Sequence, residues 1–156
     1  SLRLTVEVVW MVKNHLLLSG AAFRQNPQSP ATWQWLFSNG LEGRRIPLLT
    51  VFTAIDIRAT NIEAWNSWKE NLLFELARAL ESPKAEKVQK FLQQIEKSRL
   101  PTRKEFFERL DPAVIENLPS RVLLKDYKAL VLGGKASELG VEVVRTKRDR
   151  LWIRFH

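Results

Sequence analysis

Apolar residues recur at helical spacing through most of this 156-residue chain, and the pattern ends at a pair of glycines. Over residues 3–132 they fall three or four positions apart, in segments separated by proline, glycine, serine and asparagine. After Gly133 and Gly134, β-branched and aromatic residues take over in "GVEVVRT" and "RLWIRFH", which residues 147–149 separate as in a hairpin. We therefore predict a mainly α-helical bundle followed by a C-terminal β-hairpin.

The residue content restricts the chemistry open to the chain. A hydrophobic fraction of 45% with six Trp and eight Phe indicates a globular domain. No apolar run is long enough for a membrane span, and no secretory signal pattern precedes the first helix, so we expect a cytoplasmic protein without a membrane partner. The absence of cysteine excludes disulfides, zinc–thiolate sites and a cysteine nucleophile, so a metal would be held by His and carboxylate side chains.

The chain is basic, with 25 Lys and Arg against 17 Asp and Glu and a formal net charge of +8. Such an excess suits an anionic partner such as nucleic acid. The basic residues are dispersed in ones and twos, however, until a cluster between Arg145 and Arg154. Dispersed charge is typical of a solvated helical surface, so the pattern makes nucleic acid an unlikely partner.

The first amphipathic segment, residues 3–18, is expected to end at Ser19-Gly20. Its apolar positions define a wide face that we expect to point inward: Leu4, Val8, Met11, Val12, Leu16 and Leu18. His15 lies on the same face, because it follows Met11 and Val12 by four and three positions. The pattern therefore predicts an inward imidazole.

A second helix, which carries Asp56, is predicted over residues 47–59. Phe52, Asp56 and Ala59 lie along one side of it, so Asp56 is predicted to face inward, where an ionised carboxylate needs a partner, a metal or a proton. Thr60 and Glu63 match a capping box, which predicts a new helix from Asn61 to about residue 81 with the Trp residues at 65 and 68 in its packed face. A base-stacking role for those indoles is less favoured than core packing.

Shorter amphipathic segments follow up to the glycine pair. Residues 84–97 carry a regular apolar stripe, Pro101-Thr102 restarts the chain, Asp111-Pro112 caps "AVIENL", and Pro119-Ser120 opens a last helix.

Standard catalytic motifs are missing: there is no glycine-rich phosphate loop, no zinc-protease histidine pair and no nucleophile elbow. What remains is an inward His15 and an inward Asp56 on two helices, a combination that could contribute to a site for a hard metal ion. Two structural alternatives stay open. Asp56 could accept a hydrogen bond from His15 or from a Trp indole and simply hold the helices together.

Two stretches carry a family resemblance. "VWMVKNHLLLS", followed by "LTVFTAIDIRATNIEAWNSWKENLLFEL", resembles the C-terminal half of bacterial PII-protein uridylyltransferase/uridylyl-removing enzymes, in which such segments belong to an HD-type, metal-dependent phosphohydrolase domain. The resemblance implies that residues 1–82 are the C-terminal part of an HD-like helical region and that residues 83–134 are linking helices. Residues 135–156 look like the first strands of the regulatory ACT domain of that family.

The same resemblance assigns roles to two residues. Asp56 corresponds to the last metal-ligating Asp of the HD fold, and His15 to the His of the helix at the phosphohydrolase site. Both are therefore metal-site candidates for a divalent ion, Mg or Mn, in the complete enzyme. The earlier His and the adjacent His-Asp pair of the family are absent here, so the resemblance assigns no catalytic and no cofactor-binding residue, and we expect this chain alone to bind no metal and to be inactive.

Two functions are compatible with these observations. The first is a segment of a nitrogen-sensing enzyme that removes UMP from its partner, the PII signalling protein. The second is a stand-alone basic helical module that binds nucleic acid or an acidic protein, for which Asp56 and His15 have no evident use. With the rest of an HD domain missing, apolar surface around Val8, Val12 and Phe52 would be uncovered, and this surface or the hairpin edge would allow a homodimer.

Overall fold

The computed structural model describes the backbone of residues 2–131, 141–145 and 151–155 and the side chains of residues 4–131. Within these ranges the chain is mainly helical, as predicted. The helices are α1 (Leu2–Lys13), α2 (Leu17–Arg24), α3 (Pro30–Ser38), α4 (Arg45–Thr60), α5 (Ser67–Leu80), α6 (Pro83–Lys97), α7 (Lys104–Arg109), α8 (Pro112–Asn117) and α9 (Ser120–Val131), with a 3₁₀ turn at Ile62–Ala64 between α4 and α5.

The two strands are β1 (Val141–Arg145) and β2 (Leu151–Phe155), which pair antiparallel with Val141 opposite Phe155. The five residues that connect them lie outside the described residues. None of the described helices has the length and apolar character needed to span a bilayer.

One hydrophobic core runs from α2 to α9. Its largest members are fully buried, and Trp33 also satisfies its indole by donating from Nε1 to the carbonyl of Pro27 at 2.7 Å. In α6 the buried stripe is Ala85, Val88, Phe91 and Ile95, close to the spacing that the sequence predicts. Because α3 packs against α6 and α7, residues before and after position 82 share this core.

An aromatic cluster closes the C-terminal end of this core. The ring of Tyr127 in α9 meets those of Phe91 and Phe106 edge-on, with centroids 5.7 and 5.0 Å away. Its hydroxyl donates to the carbonyl of Pro101 and accepts from the amide of Arg103 at 2.7 Å. Packing and two hydrogen bonds thus hold α9 on α6 and on the connection that precedes α7.

Local signals set several helix boundaries, and the predicted cap at Asp111-Pro112 is confirmed. Gly40, after α3, has φ of +79°, a conformation that few other residues adopt. The side chains of Ser82 and Asp111 accept hydrogen bonds from the amides of Ala85 and Ala113 and so cap α6 and α8.

The predicted capping box at Thr60 is wrong. The Thr60 hydroxyl donates backward to the carbonyl of Asp56 at 2.8 Å, so Thr60 belongs to the last turn of α4. Two asparagines do the capping instead: Asn61 caps the 3₁₀ turn, and Asn66 accepts from the amide of Lys69 at the start of α5. The packed side of α5 is that of Leu73, Leu76, Ala79 and Leu80, so the prediction that Trp68 lies in the packed face is wrong, and Trp68 is 62% exposed.

The first predicted helix is also corrected. It breaks at residues 14–16 and resumes as α2, which continues through Ser19-Gly20 to Arg24. The predicted inward face of α1 is wrong as well: Leu4, Val8, Val12 and Leu16 are all exposed, Met11 is half-buried, and only Leu18, in α2, is fully buried.

In α4 the buried stripe is rotated from the prediction. The buried side chains are those of Ile46, Leu49, Thr50 and Thr53, whereas Ala59 is exposed and Phe52 half-buried. Asp56 continues this stripe one turn beyond Thr53 and is half-buried, so its predicted inward direction holds only in part.

A polar latch ties α1 to the start of α4; we use this name for Glu7, Trp10, Gly40 and Arg45. The Arg45 guanidinium donates to Glu7 through Nε at 2.9 Å and to the carbonyl of Gly40 through an Nη atom at 3.0 Å. It also lies 4.4 Å from the centre of the Trp10 ring. A Cβ on Gly40 would come within 3.0 Å of that guanidinium, so the latch needs glycine at this position.

We predict that docking of α1 weakens as the pH falls. The hydrogen bonds and charge of Arg45 lower the pKa of the Glu7 carboxyl below its usual value of 4.5. Since the folded-state pKa is the lower one, the stabilisation is complete above pH 4.5 and is lost as the pH falls through the lowered value. Amide hydrogen exchange of residues 2–13 should therefore accelerate below pH 4.5, after correction for intrinsic rates, and Glu7→Gln should remove this pH dependence. An unchanged profile in Glu7→Gln would show that Glu7 does not control docking.

Candidate functional site

His15 lies in the break between α1 and α2 and is half-buried. Its Nδ1 is 2.8 Å from the carbonyl oxygen of Val12. A carbonyl can only accept, so Nδ1 carries the proton and, in the neutral ring, Nε2 keeps its lone pair. A backbone carbonyl on one ring nitrogen is also how metal-binding histidines are commonly oriented. His15 is thus prepared to act as a ligand or acceptor through Nε2.

Asp56 lies one turn before the C-terminal end of α4. In the part of the chain with described side chains, its carboxylate has no hydrogen bond and no ion pair. A negative charge near a helix C-terminus is unfavourable, and Asp is a poorer helix former than Ala. The local structure therefore offers no stabilising role for this carboxylate.

Thr53, three residues before Asp56 on the same stripe, has a buried hydroxyl without a partner among the described residues. Thr50, by contrast, satisfies its hydroxyl by donating to the carbonyl of Ile46 at 2.7 Å. A buried hydroxyl without a hydrogen bond is unfavourable. The C-terminal half of α4 thus carries two polar side chains that the described part of the protein leaves unpaired.

The two predicted site residues come from neighbouring parts of the fold. His15 lies two residues before α2, and α2 packs against α4, which carries Asp56. Over the residues with described side chains, neither a His15–Asp56 hydrogen bond nor a bond from a Trp indole to Asp56 is present: Trp10 and Trp33 donate to the carbonyls of Asn39 and Pro27. The alternative in which Asp56 serves to hold helices together therefore gains no support from these side chains.

A metal centre is not complete in these residues. Among the described residues, no group of three or more His, Cys, Asp or Glu side chains lies close enough to hold a metal ion. His15 and Asp56 offer the right donor types, an imidazole nitrogen and a hard carboxylate oxygen, but two ligands alone leave an ion mostly hydrated.

A separate open groove of about 780 Å³ lies between the end of α3 and α6. Phe37 and Leu92 line it together with Glu42, whose carboxylate accepts a hydrogen bond from Gln89 at 2.7 Å. Its lining contains neither His nor Asp. The groove therefore includes neither of the two predicted site residues, and the carboxylates that line it are those of Glu42 and Glu96.

Sequence reasoning missed Thr53 and Arg45. Thr53 had a usable signal, because it precedes Asp56 by three positions and so shares its side of α4. No local sequence signal pointed to Arg45, because its role depends on pairing with Glu7, which lies 38 residues earlier in the chain.

About half of the chain is similar in sequence to known proteins. An enzyme from Vibrio cholerae is 40% identical to the chain over 84 residues, which cover 49% of the chain, and one from Nitrosococcus oceani is 43% identical over 72 residues. Both are named bifunctional uridylyltransferase/uridylyl-removing enzyme. About half of this chain is thus similar to a segment of that enzyme. The resemblance noted in the sequence is confirmed at this level.

The similarity covers only a small part of the larger proteins. The matched segment spans 10% of the Vibrio cholerae enzyme and 8% of the Nitrosococcus oceani enzyme. No protein-family model matches the chain, and no solved structure matches it. The bifunctional enzymes therefore contain far more polypeptide than these 156 residues.

We predict that Asp56→Ala leaves the stability of this chain unchanged or raises it by up to about 0.5 kcal/mol, since it removes an unpaired charge near a helix end and improves helix propensity. Urea unfolding monitored by circular dichroism measures the effect. Glu7→Ala is the control, because it removes a carboxylate that has partners and should destabilise the chain. A loss above about 1 kcal/mol for Asp56→Ala would reveal a structural partner for this carboxylate.

Proposed function

We propose that the chain is a segment of a bifunctional uridylyltransferase/uridylyl-removing enzyme and that His15 and Asp56 belong to its uridylyl-removing site. The observation that carries the proposal is the similarity of about 40% identity over half of the chain. In this proposal residues 1–82 end an HD-type phosphohydrolase domain, residues 83–134 link it onward, and residues 135–156 begin an ACT domain.

The proposed reaction is hydrolysis of the phosphodiester bond between UMP and a tyrosine of the PII signalling protein. A divalent ion, Mg or Mn, would supply an activated water and charge stabilisation when bound. His15 would contribute Nε2, because the carbonyl of Val12 already takes Nδ1–H. Asp56 would contribute a carboxylate oxygen that no described side chain occupies. In this proposal, Nε2 of His15 and a carboxylate oxygen of Asp56 are the two donor atoms available to the ion.

The unfavourable placement of Asp56 supports a chemical role. Residues that break local rules without a stabilising return are expected mainly at functional sites. Asp56 fits this description, because it lies near the negative end of α4, half-buried and unpaired within the described part. The unsatisfied hydroxyl of Thr53 lies one turn away on the same side.

A stand-alone basic binding module is the alternative proposal. It would use the basic residues between Arg145 and Arg154, whose side chains lie outside the described residues. It assigns no role to Asp56 or to His15. Weak polyanion binding that physiological salt removes would favour the enzyme segment, whereas low-micromolar binding that resists such salt would favour the module.

We predict that the isolated chain hydrolyses neither uridylylated PII protein nor a simple phosphodiester above background, with Mn²⁺ or Mg²⁺ present, because two ligands cannot fix an ion and its water. In the complete enzyme, Asp56→Asn and His15→Ala should each lower uridylyl removal by about 100-fold or more while uridylyl transfer persists.

Glu75→Gln is the matched control, because it neutralises an exposed carboxylate on α5 and should leave both activities unchanged. Metal-dependent turnover by the isolated chain that Asp56→Asn abolishes would refute the claim of inactivity. Full uridylyl removal by the Asp56→Asn enzyme would refute the site assignment itself.

A further inference from the structure

The hydroxyl of Thr53 is an exception among the threonines of α4. Thr50 and Thr60 each donate to the carbonyl four residues back along the helix, at 2.7 and 2.8 Å. The carbonyl of Leu49 lies at the same position relative to Thr53. The Thr53 hydroxyl nevertheless has no partner among the described residues, although Thr53 is only 1% exposed. The backbone of α4 therefore does not explain this buried hydroxyl.

The two helices that pack most closely against α4 offer no acceptor for this hydroxyl among their buried side chains. Those side chains are all apolar: Leu17, Leu18, Ala21 and Ala22 in α2, and Leu73, Leu76, Ala79 and Leu80 in α5. The 3₁₀ turn that also contacts α4 has no buried residue. A hydroxyl without a bond is unfavourable in such surroundings, and valine has nearly the same shape without that cost. Packing alone therefore gives no reason for threonine at this position.

The carboxylate of Asp56 is the acceptor within reach. Asp56 follows Thr53 by three positions, so the two side chains share one side of α4, with their Cβ atoms about 5–6 Å apart. Helical side chains lean toward the N-terminus, which carries the carboxylate over the turn that contains Thr53. A hydroxyl and a carboxylate on two short side chains bridge this separation with one hydrogen bond of about 2.7 Å. The two groups are unpaired within the described part, and rotation about the Cα–Cβ bond of one residue brings them together.

We propose that Thr53 is a positioning residue of the candidate site. Its hydroxyl donates to one oxygen of the Asp56 carboxylate and leaves the other oxygen directed at a divalent cation. The inference rests on the proposed function, because it takes Asp56 as a ligand. A carboxylate offers two oxygens and about four acceptor positions, so it can serve both partners at once. Ligating carboxylates are commonly held by a hydrogen bond of this kind, and losing it lowers metal affinity by roughly 10- to 100-fold.

One hydrogen bond would satisfy both unpaired groups. Its acceptor is charged, which makes the bond stronger than one between neutral groups. The burial of Thr53 keeps water from competing for the hydroxyl, while the half-buried carboxylate keeps one side open for a ligand. The arrangement thus gives the buried hydroxyl a function that valine cannot supply.

Two substitutions in the complete enzyme separate the hydroxyl of Thr53 from its methyl group. Thr53→Val keeps the methyl group and removes the hydroxyl, whereas Thr53→Ser does the opposite. Mn²⁺ binding is titrated by electron paramagnetic resonance, and the ion of this site is the one that Asp56→Asn removes. We expect Thr53→Val to weaken the binding of that ion by about 10-fold or more and Thr53→Ser to retain most of the affinity.

Amide hydrogen exchange of residues 45–60 in the metal-free enzyme reports on folding. Thr53→Val should exchange no faster than the unsubstituted enzyme, because it removes a hydroxyl that has no partner. Thr50→Val is the matched control, since it removes a neighbouring buried hydroxyl that has its own backbone partner. It should leave Mn²⁺ binding unchanged, whatever its effect on exchange. A threonine with a purely structural role would not give slow exchange together with weakened binding in Thr53→Val.

Distinct results overturn this inference and the proposed function. If Thr53→Val weakens Mn²⁺ binding by less than about 10-fold while Asp56→Asn removes an ion, the role of Thr53 is refuted and the proposed function stands. Equal weakening in Thr53→Val and Thr53→Ser would assign the effect to packing, and faster exchange in Thr53→Val would reveal a structural partner; both refute the role. If Asp56→Asn removes no ion and uridylyl removal persists, the proposed site fails and the role of Thr53 fails with it.

Discussion

The guanidinium of Arg45 joins the segments on which the candidate site depends. It pairs with Glu7 of α1, lies against Trp10 and binds the carbonyl of Gly40 in the connection between α3 and α4. Glu7 and Trp10 lie in α1, which ends just before the break at residues 14–16 that carries His15. Charge-assisted, two-pronged hydrogen bonds of this kind are stronger and more specific in direction than neutral ones. Together with Trp10, which packs against the core, they hold α1 on the molecule.

The pair of His15 and Asp56 differs in character from the rest of the molecule. The core and the aromatic cluster at Tyr127 follow ordinary packing rules, and their polar atoms have partners. By contrast, the Asp56 carboxylate and the Thr53 hydroxyl, both in the C-terminal half of α4, have no hydrogen bond within the described part.

The sequence predicted the elements well wherever a local signal operates. The beginning of α8 at Asp111-Pro112 and that of α9 at Pro119-Ser120 agree with the prediction. The break at residues 14–16 and the caps at Asn61 and Asn66 were missed. For the caps, the sequence also offers a plausible alternative, the capping box of Thr60 with Glu63. Which residues cap the helix depends on how α4 and α5 pack.

By itself the sequence determined the helical class, most helix boundaries, the similarity to uridylyl-removing enzymes and the two candidate site residues, because capping, periodicity and motif similarity are local properties of the chain. Only the tertiary structure decided which side of α1 and α4 is covered. Periodicity reports that a side is apolar, but it cannot report which partner lies against it. For α1 the decision came from Glu7 and Arg45, which lie 38 residues apart and whose hydrogen bonds turn the polar side of the helix inward and leave its valines exposed.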